Sequence, residues 1–549
     1  MSGKTSSWQN ALAYRSLVCL VLSLSSLAAT ANEDRAADDN ATPRVTMQQI
    51  EDAWRKGDFI FAREGLGQLA AEGGSAVAEY RYGRVLLEGR GGPRDIPAAI
   101  KWLEQAAGRN HVSAMTLLAR LQLSDETDIT EGGAGTAPEL SENRAVDLLS
   151  RAAALGGADA QYLLGQLYLT GTGVEKDATS AYTWYLAAAN QNMAEAQYTL
   201  SQLYDAGLGT AVDPATAVTW LRSAAENGHH PAQFRLAVRL KHGDGTDPAP
   251  DEALQWYRRA AETGMPIAQR ELGMHYLRGD LVDQNVDEGL RWLQTAAEAG
   301  DAGAMSNLGF AYATGLGVTP NDQDAARWYA LASERGLGRA MVALARFYET
   351  GRGVEQNSET ALGLYMGALE TSDAGAAALR LGQLAGAGAL DGRMAPHRMV
   401  PWALAAAVER DAGATSWLER QAKDGLRPAL TALAEIYLDD DVTGAQGVKL
   451  LEQAAMAGDP AAQLRLGQLY LQGKLVARDY VSAHKWFNIA ATLGASEAAR
   501  LRASVGDLMT PEQLAEAQTA TRTWFATQEP GPPQTHQSIS NPSPDSARE

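Results

Sequence analysis

Cysteine is almost absent from this chain, since Cys19 is the only one among 549 residues. It lies inside an apolar run near the N-terminus that we expect to be removed on export. The rest of the chain has no thiol, which excludes disulfides, thiolate metal sites and cysteine nucleophiles. A lipoprotein would need its cysteine at the end of that run, behind a small residue, whereas Cys19 follows Val18. Lipidation is therefore not expected.

The apolar run itself has the features of a signal peptide. Lys4 and Arg15 precede "SLVCLVLSLSSLAA" (16–29), and "ATA" (29–31) ends the run. This order of charged, apolar and small residues is typical of an export signal, with cleavage after Ala31. The run is short and rich in serine, so it is poorly suited to span a bilayer. We expect a periplasmic protein, or alternatively a secreted one, and the pattern leaves open whether the segment is cleaved or kept as an anchor.

Positive charge is in short supply. Lys and Arg number 47 against 66 Asp and Glu, a formal net charge of −19. Loss of residues 1–31, with two positive charges, would take it to −21. Such a chain repels phosphates, so neither nucleic acid nor an anionic membrane is expected as its main partner. Hydrophobic residues make up 45%, which is enough to fold, but 549 residues exceed one ordinary core, so several domains or an elongated array is expected.

Catalytic and metal-binding motifs are also missing. The sequence has no G-x-S-x-G, no H-E-x-x-H and no Walker loop. A zinc site built from His229, His230, His242 and His275 is disfavoured, because their spacing fits no compact ligand motif. We therefore expect no enzyme activity, no cofactor and no metal.

What the sequence does have is a period. A large residue, usually tryptophan, recurs after a first step of 46 residues and then at six steps of 36: Trp102, Leu148, Trp184, Trp220, Trp256, Trp292, Trp328 and Leu364. Later marks at Trp402, Leu450 and Trp486 are less even, and Trp417 resembles a further mark. A fixed period in the thirties with helical patterning inside each unit predicts a solenoid of helix pairs.

Each unit has the same internal pattern. In one example, Ala196, Leu200 and Tyr204 follow each other at steps of four, which places them on one face of a first helix. A small residue follows the leucine, here Ser201, and predicts close approach of two helices. A G-x-G turn comes next, and seven residues before most of the tryptophans stands an N-cap residue such as Asp213. Glycine or asparagine ends the second helix. G-x-G could also suggest a nucleotide loop, but here it follows a helix in unit after unit.

These recurring positions resemble the Sel-1-like repeat, a relative of the tetratricopeptide repeat. The matching segments include "AQYLLGQLYLTGTGVEKDATSAYTWYLAAA" (160–189) and "AMSNLGFAYATGLGVTPNDQDAARWYALAS" (304–333), and the likeness extends from 76 to 499. The resemblance implies an all-α fold, a right-handed α/α superhelical solenoid of about eleven helix pairs. It also implies a concave surface, lined by the first helices, that binds other proteins. The tryptophan and tyrosine stripe is then core rather than a carbohydrate platform.

The resemblance also implies a class of function. Some exported members scaffold cell-envelope or exopolysaccharide machinery, and a cysteine-rich branch is linked to penicillin binding. This chain lacks those cysteines, so that activity is not carried over. We predict a non-catalytic scaffold or adaptor that binds envelope proteins. The alternatives are a scaffold for exopolysaccharide export that binds an anionic polysaccharide and, from another class, an enzyme acting on the cell wall.

Breaks in the period predict the domain boundaries. They comprise a signal peptide (1–31), a flexible linker (32–45), an N-terminal helical cap (46–74), the main array (75–385) with a loop insertion (124–143), an irregular bend (386–425), C-terminal repeats (426–508), a capping helix (509–528) and a disordered tail (529–549).

Recognition is expected where the first helices vary. The third, seventh and tenth positions after the opening alanine vary most, and we interpret them as one face distinct from the core. In two middle units these positions bring together a group of mostly basic residues: Arg235, Arg239, His242, Glu271, His275 and Arg278. We predict a basic groove for an acidic peptide or an anionic sugar polymer. The alternative is that these are solvated side chains balanced by neighbouring acids.

Overall fold

The computed structural model describes residues 45–124, 142–439 and 442–527. The predicted signal peptide, nearly all of the linker, most of the 124–143 insertion and the 529–549 tail lie outside these ranges. Within the described ranges there are twenty-seven α-helices and no strand. Eleven pairs of consecutive helices follow the N-terminal cap, so the predicted all-α solenoid class and pair count are confirmed.

The described residues divide into two compact units, one within 1–164 and 172–174 and the other within 165–171 and 175–549. The helices of the first unit, with α7 crossing the boundary, are α1 (Met47–Lys56), α2 (Phe59–Ala71), α3 (Ala76–Glu88), α4 (Ile96–Gly108), α5 (Val112–Leu123), α6 (Glu142–Ala154) and α7 (Ala158–Thr170). The predicted N-terminal cap is the pair α1 and α2, which Thr46 opens with a capping box.

The second unit contains the remaining helices. Its regular part is α8 (Ala178–Ala189), α9 (Ala194–Ala206), α10 (Pro214–Glu226), α11 (His230–His242), α12 (Pro250–Glu262), α13 (Pro266–Arg278), α14 (Val286–Glu298), α15 (Ala302–Thr314), α16 (Asp322–Glu334), α17 (Gly338–Thr350) and α18 (Ser358–Ala368). There follow α19 (Ala374–Gly386), α20 (Pro396–Val408), α21 (Ala412–Lys423), α22 (Arg427–Leu438), α23 (Gly444–Met456), α24 (Pro460–Gln472), α25 (Tyr480–Thr492), α26 (Ser496–Gly506) and α27 (Pro511–Thr527).

The two turn glycines have different tasks. Gly207 ends α9 in the left-handed conformation, with φ of 66°. Gly209 also has positive φ, but a Cβ there would lie 2.0 Å from the carbonyl oxygen of Ala178 in the preceding second helix. The second glycine therefore lets each turn rest on the start of the preceding second helix.

The core of each pair is anchored by the residue after the tryptophan mark. Trp220 and Trp292 are only half-buried, whereas Leu221 and Leu293 beside them are fully buried. This neighbouring residue packs against the small residue that follows the leucine of the first helix. In one pair, a Cβ on Gly309 would lie 2.8 Å from the ring of Tyr329. The predicted close approach is thus present, and the residue after the mark is the more deeply buried one, although some marks such as Trp256 and Trp486 are buried as well.

A column of buried glutamines also joins successive pairs. In five first helices the residue after the opening alanine is a glutamine whose Nε2 donates to a carbonyl eight residues back, in the preceding second helix, at 3.0–3.2 Å: Gln161, Gln197, Gln233, Gln269 and Gln463. Because the side chain is buried, this hydrogen bond fixes the first helix to the helix before it.

Two elements depart from the regular pairing. Residues 386–425, predicted to be an irregular bend, contain the whole of α20, which has Pro401 inside it, and the single helix α21, which packs against α19, α20 and α22. The final helix is α27, and it packs against α25 rather than covering α26. The reason is Trp524, whose side chain joins the core formed by α22–α25.

Candidate binding surface of the first helices

The three variable positions of the first helices differ in burial. The tenth is exposed in all six units, and the third is exposed or half-buried. The seventh is buried in every unit, as Leu167, Leu203, Arg239, His275, Ala311 and Phe347. The prediction of one exposed face was therefore wrong for the seventh position. At about 100° per residue, seven steps return to within about 20° of the opening alanine, which is the centre of the core face.

Arg239 is consequently a buried cation, 9% exposed. Its Nη2 donates to Oδ2 of Asp205 in α9 at 2.5 Å, and its Nε lies 3.9 Å from Oδ2 of Asp244. Its buried Nη1 has no hydrogen-bond partner among the described residues. The charge of Arg239 is thus already compensated by two acids, and the side chain bridges neighbouring first helices.

His275 is buried more deeply, at 1% exposed. Its Nδ1 lies 2.6 Å from Oδ1 of Asp280, and its Nε2 lies 3.5 Å from Nζ of Lys241 in α11. Burial lowers the pKa of His275, although Asp280 opposes that shift. We assign the neutral tautomer in which Nδ1–H donates to Asp280 and Nε2 accepts from the Lys241 ammonium.

The other basic candidates remain at the surface. Arg235 is exposed, and its Nη1 donates to the Tyr198 hydroxyl at 3.2 Å. Tyr198 in turn stacks on His229, with ring centroids 4.4 Å apart. His242 and Arg278 are exposed at the tenth positions of consecutive first helices. Within the described ranges, none of Arg235, His242 and Arg278 takes part in an ion pair.

Glu271, the acidic member of the predicted group, is half-buried and pairs with Arg270 at 3.3 Å. Arg270 also pairs with Asp301, 31 residues on, at 3.0 Å. Equivalent pairs between residues 30 or 31 apart join other units, among them Arg81–Glu51, Arg109–Glu79, Arg222–Glu252 and Arg465–Glu435. Much of the surface charge is therefore internally balanced, which makes unpaired cations stand out.

The described residues contain no group of three or more His, Cys, Asp or Glu side chains placed to hold a metal ion. Among them, no helix combines the length and apolar character needed to cross a membrane.

Comparison with known proteins identifies the repeat. The model of the Sel1 repeat family matches ten segments: 76–111, 113–157, 158–193, 194–229, 230–265, 266–301, 302–337, 338–365, 428–459 and 460–494. The unmatched interval between 365 and 428 contains α19, α20 and the single helix α21.

The chain is also similar to proteins of solved structure. A protective antigen present in uropathogenic Escherichia coli strains, displaying an SLR fold, is 27% identical over 84% of this chain and 94% of that one, with a TM-score of 0.54. A Sel1 repeat protein from Oxalobacter formigenes is 34% identical over 42% of this chain and 92% of its own, with a TM-score of 0.38. Since the repeat matches span more than half of the sequence and follow the helix pairs, the chain belongs to the Sel1 repeat family.

Proposed function

We propose that this protein is a non-catalytic scaffold that binds other proteins through the exposed surface of its first helices. Sel1 repeat proteins generally mediate protein–protein interactions. The observation that carries the proposal is the contrast within the basic group. Arg239 and His275 are buried and paired, whereas Arg235, His242 and Arg278 are exposed and form no ion pair with any described residue, in a chain of net charge −19. Exposed guanidinium groups bind carboxylates in bidentate geometry, so the partner presents an acidic segment.

The test is charge reversal at the exposed cations. The double variant Arg235→Glu, Arg278→Glu should lose at least tenfold in affinity for an acidic peptide, with poly-glutamate as the probe. Arg420 of α21, exposed and without an ion pair in the described part of the chain, provides the matched control as Arg420→Glu. If the double variant and the control bind alike, the surface is not the site.

The second candidate, an anionic polysaccharide as ligand, uses the same cations, because uronate carboxylates present the same oxygens. A gel-retardation assay with a uronic-acid polymer separates the two. Retardation by the polymer but not by poly-glutamate favours the polysaccharide, and the reverse favours an acidic protein segment. Release of products from purified peptidoglycan would instead favour the enzyme alternative.

We further propose that the protein works in the cell envelope, in the periplasm or, alternatively, outside the cell. The support is the sequence of residues 1–31 alone. Fractionation of cells after osmotic shock tests it, because a periplasmic protein leaves with the shock fluid and a secreted one is found in the medium.

A further inference from the structure

A groove lies along α27, at a place separate from the first-helix surface discussed above. Its volume is about 680 Å³, within the usual range of ligand sites. One wall is α27 from Ala515 to Thr527, and the other comprises Met456 of α23 and Lys485 of α25. The α27 wall lies beyond the last matched repeat, which ends at 494.

The groove is open because the flank of α27 that lines it carries small side chains beside Glu516: Ala515, Thr519, Ala520, Thr523 and Thr527. The hydroxyls of Thr523 and Thr527 donate to carbonyls of their own helix at 3.0 and 2.8 Å. Their lone pairs remain to accept hydrogen bonds from a ligand. Thr519 also accepts from Arg522 at 3.1 Å, so it is less available.

The opposite side of the groove supplies donors. The Lys485 ammonium is half-buried and lies 4.4 Å from the Trp486 ring centroid, and no acid among the described residues forms an ion pair with it. Burial lowers the pKa of Lys485. Trp524, 5% exposed, has an indole N–H without an acceptor among the described residues. The half-buried Lys485 ammonium is therefore the donor available to an anionic ligand, because it carries a charge that no described acid balances.

We propose that this groove binds the C-terminal end of a peptide chain, with the terminal carboxylate on Lys485 and backbone N–H groups on Thr523 and Thr527. The apolar last side chain packs against Met456, which is 48% exposed. The indole N–H is covered by the groove walls, so Trp524 serves as floor and the carboxylate is assigned to Lys485. From Ala515 to Thr527 the wall is about 18 Å long, and about five or six extended residues span it. A fatty acid would leave both threonine acceptors unused.

The experiment compares two probes on the full chain. Fluorescein-labelled hexapeptides of random sequence with C-terminal leucine are prepared with a free carboxylate and, separately, with a terminal amide. Fluorescence anisotropy should show saturable binding of the free acid and at least tenfold weaker binding of the amide. Equal binding, or none by either, overturns the proposal. Binding of dodecanoate in place of the peptide acid would show a lipid-carboxylate site and would overturn it as well.

Two variants test the residues. Lys485→Met keeps the aliphatic stem on Trp486 and removes the charge, so the free acid should bind about tenfold more weakly and no better than the amide. Ala520→Phe fills the groove and should abolish binding of both probes. The control, Lys474→Met, removes an exposed lysine in the turn after α24 and should change nothing. Thermal unfolding monitored by circular dichroism checks that each variant folds.

The outcome is independent of the function proposed for the first helices. The Arg235→Glu, Arg278→Glu variant should still bind the free-acid peptide with unchanged affinity. A loss in that variant would mean that the peptide binds at the first helices, and the assignment to the α27 groove would fail.

Discussion

Two pairs of repeats share a seventh position that has the same burial but different chemistry. In α9 and α15 it is Leu203 and Ala311, and in α11 and α13 it is Arg239 and His275. All four are buried, because the helical period returns this position to the core face. The polar pair therefore needs partners that the apolar pair does not, and Asp205, Asp280 and Lys241 supply them. Burial is a property of the position, whereas the residue determines how much the neighbours must compensate.

The largest expected effect comes from removing one of those partners. Asp205→Ala leaves the Arg239 guanidinium buried with only the distant Asp244, and should lower the free energy of unfolding by about 2–3 kcal/mol. Adding Arg239→Leu, which copies the neighbouring Leu203, should recover most of that loss. Urea unfolding of the single and double variants measures both values. No rescue by the second substitution would show that the cost has another source.

Lowering the pH should have the next largest effect, because it destabilises the repeats that bury a histidine and not those with an apolar residue at the same position. Burial lowers the pKa of His275 and of His229, so the folded state favours the neutral imidazoles. The stability that each neutral imidazole contributes is fully present above the pKa of the unfolded chain, about 6.5, and is lost as the pH falls through the lower pKa of the folded state. Over that interval the free energy of unfolding decreases by up to about 1.4 kcal/mol per pH unit for each histidine.

Denaturation midpoints measured from pH 7.5 to 4.5 test this dependence. His275→Leu should flatten the curve in this range. The same measurement on His242→Gln, which changes an exposed histidine, should reproduce the wild-type slope; a flattened slope there would contradict the assignment to buried imidazoles.

A smaller, stabilising effect is expected in the glutamine column. The Oε1 of Gln197 accepts from Nδ2 of Asn227 at 2.9 Å, whereas the buried Oε1 of Gln269 has no partner among the described residues. Ala299 ends α14 where Asn227 ends α10, with a similar backbone conformation. Ala299→Asn should therefore raise the free energy of unfolding by about 1 kcal/mol, and Asn227→Ala should lower it by a similar amount. Calorimetry on both variants measures these two changes in the free energy of unfolding.

The smallest effect should come from the exposed member of the basic group. Arg235→Leu removes a hydrogen bond to Tyr198 at the surface and should change stability by less than about 0.5 kcal/mol. Chemical denaturation of Arg235→Leu and Asp205→Ala under the same conditions compares the two changes in the free energy of unfolding. A loss comparable to that of Asp205→Ala would mean that surface and core positions are not as distinct as the burial indicates.

Much of the fold follows from local patterns that one unit repeats. Ala196 and Leu200, the turn at Gly207 and the cap at Asp213 each have a local cause, so period and capping predict the helix pairs. Contacts between successive repeats are harder to predict. Gln197 is polar, and only its buried position next to the preceding second helix explains it. The pairing of Arg239 with Asp205 spans 34 residues and has no local signal.

The binding surface shows the same division. Exposure of Arg235, His242 and Arg278 agrees with the sequence analysis. The burial of Arg239 and His275 does not agree with it, although the rotation of about 100° per residue already places the seventh position beside the opening alanine. The groove along α27 could not be predicted, because it depends on the insertion of Trp524 between helices far away in the sequence.

The single helix α21 has a consequence for how such genes change length. It begins as a first helix does, with Asp411 capping Ala414 as Asp301 caps Ala304. It ends as a second helix does, with Trp417 eight residues before a left-handed Gly425. Each half contributes buried side chains to the core, and Trp417 is buried almost completely. A single helix can therefore stand where a helix pair would otherwise stand and still leave a packed interior, so the length of such a chain need not change by whole repeats.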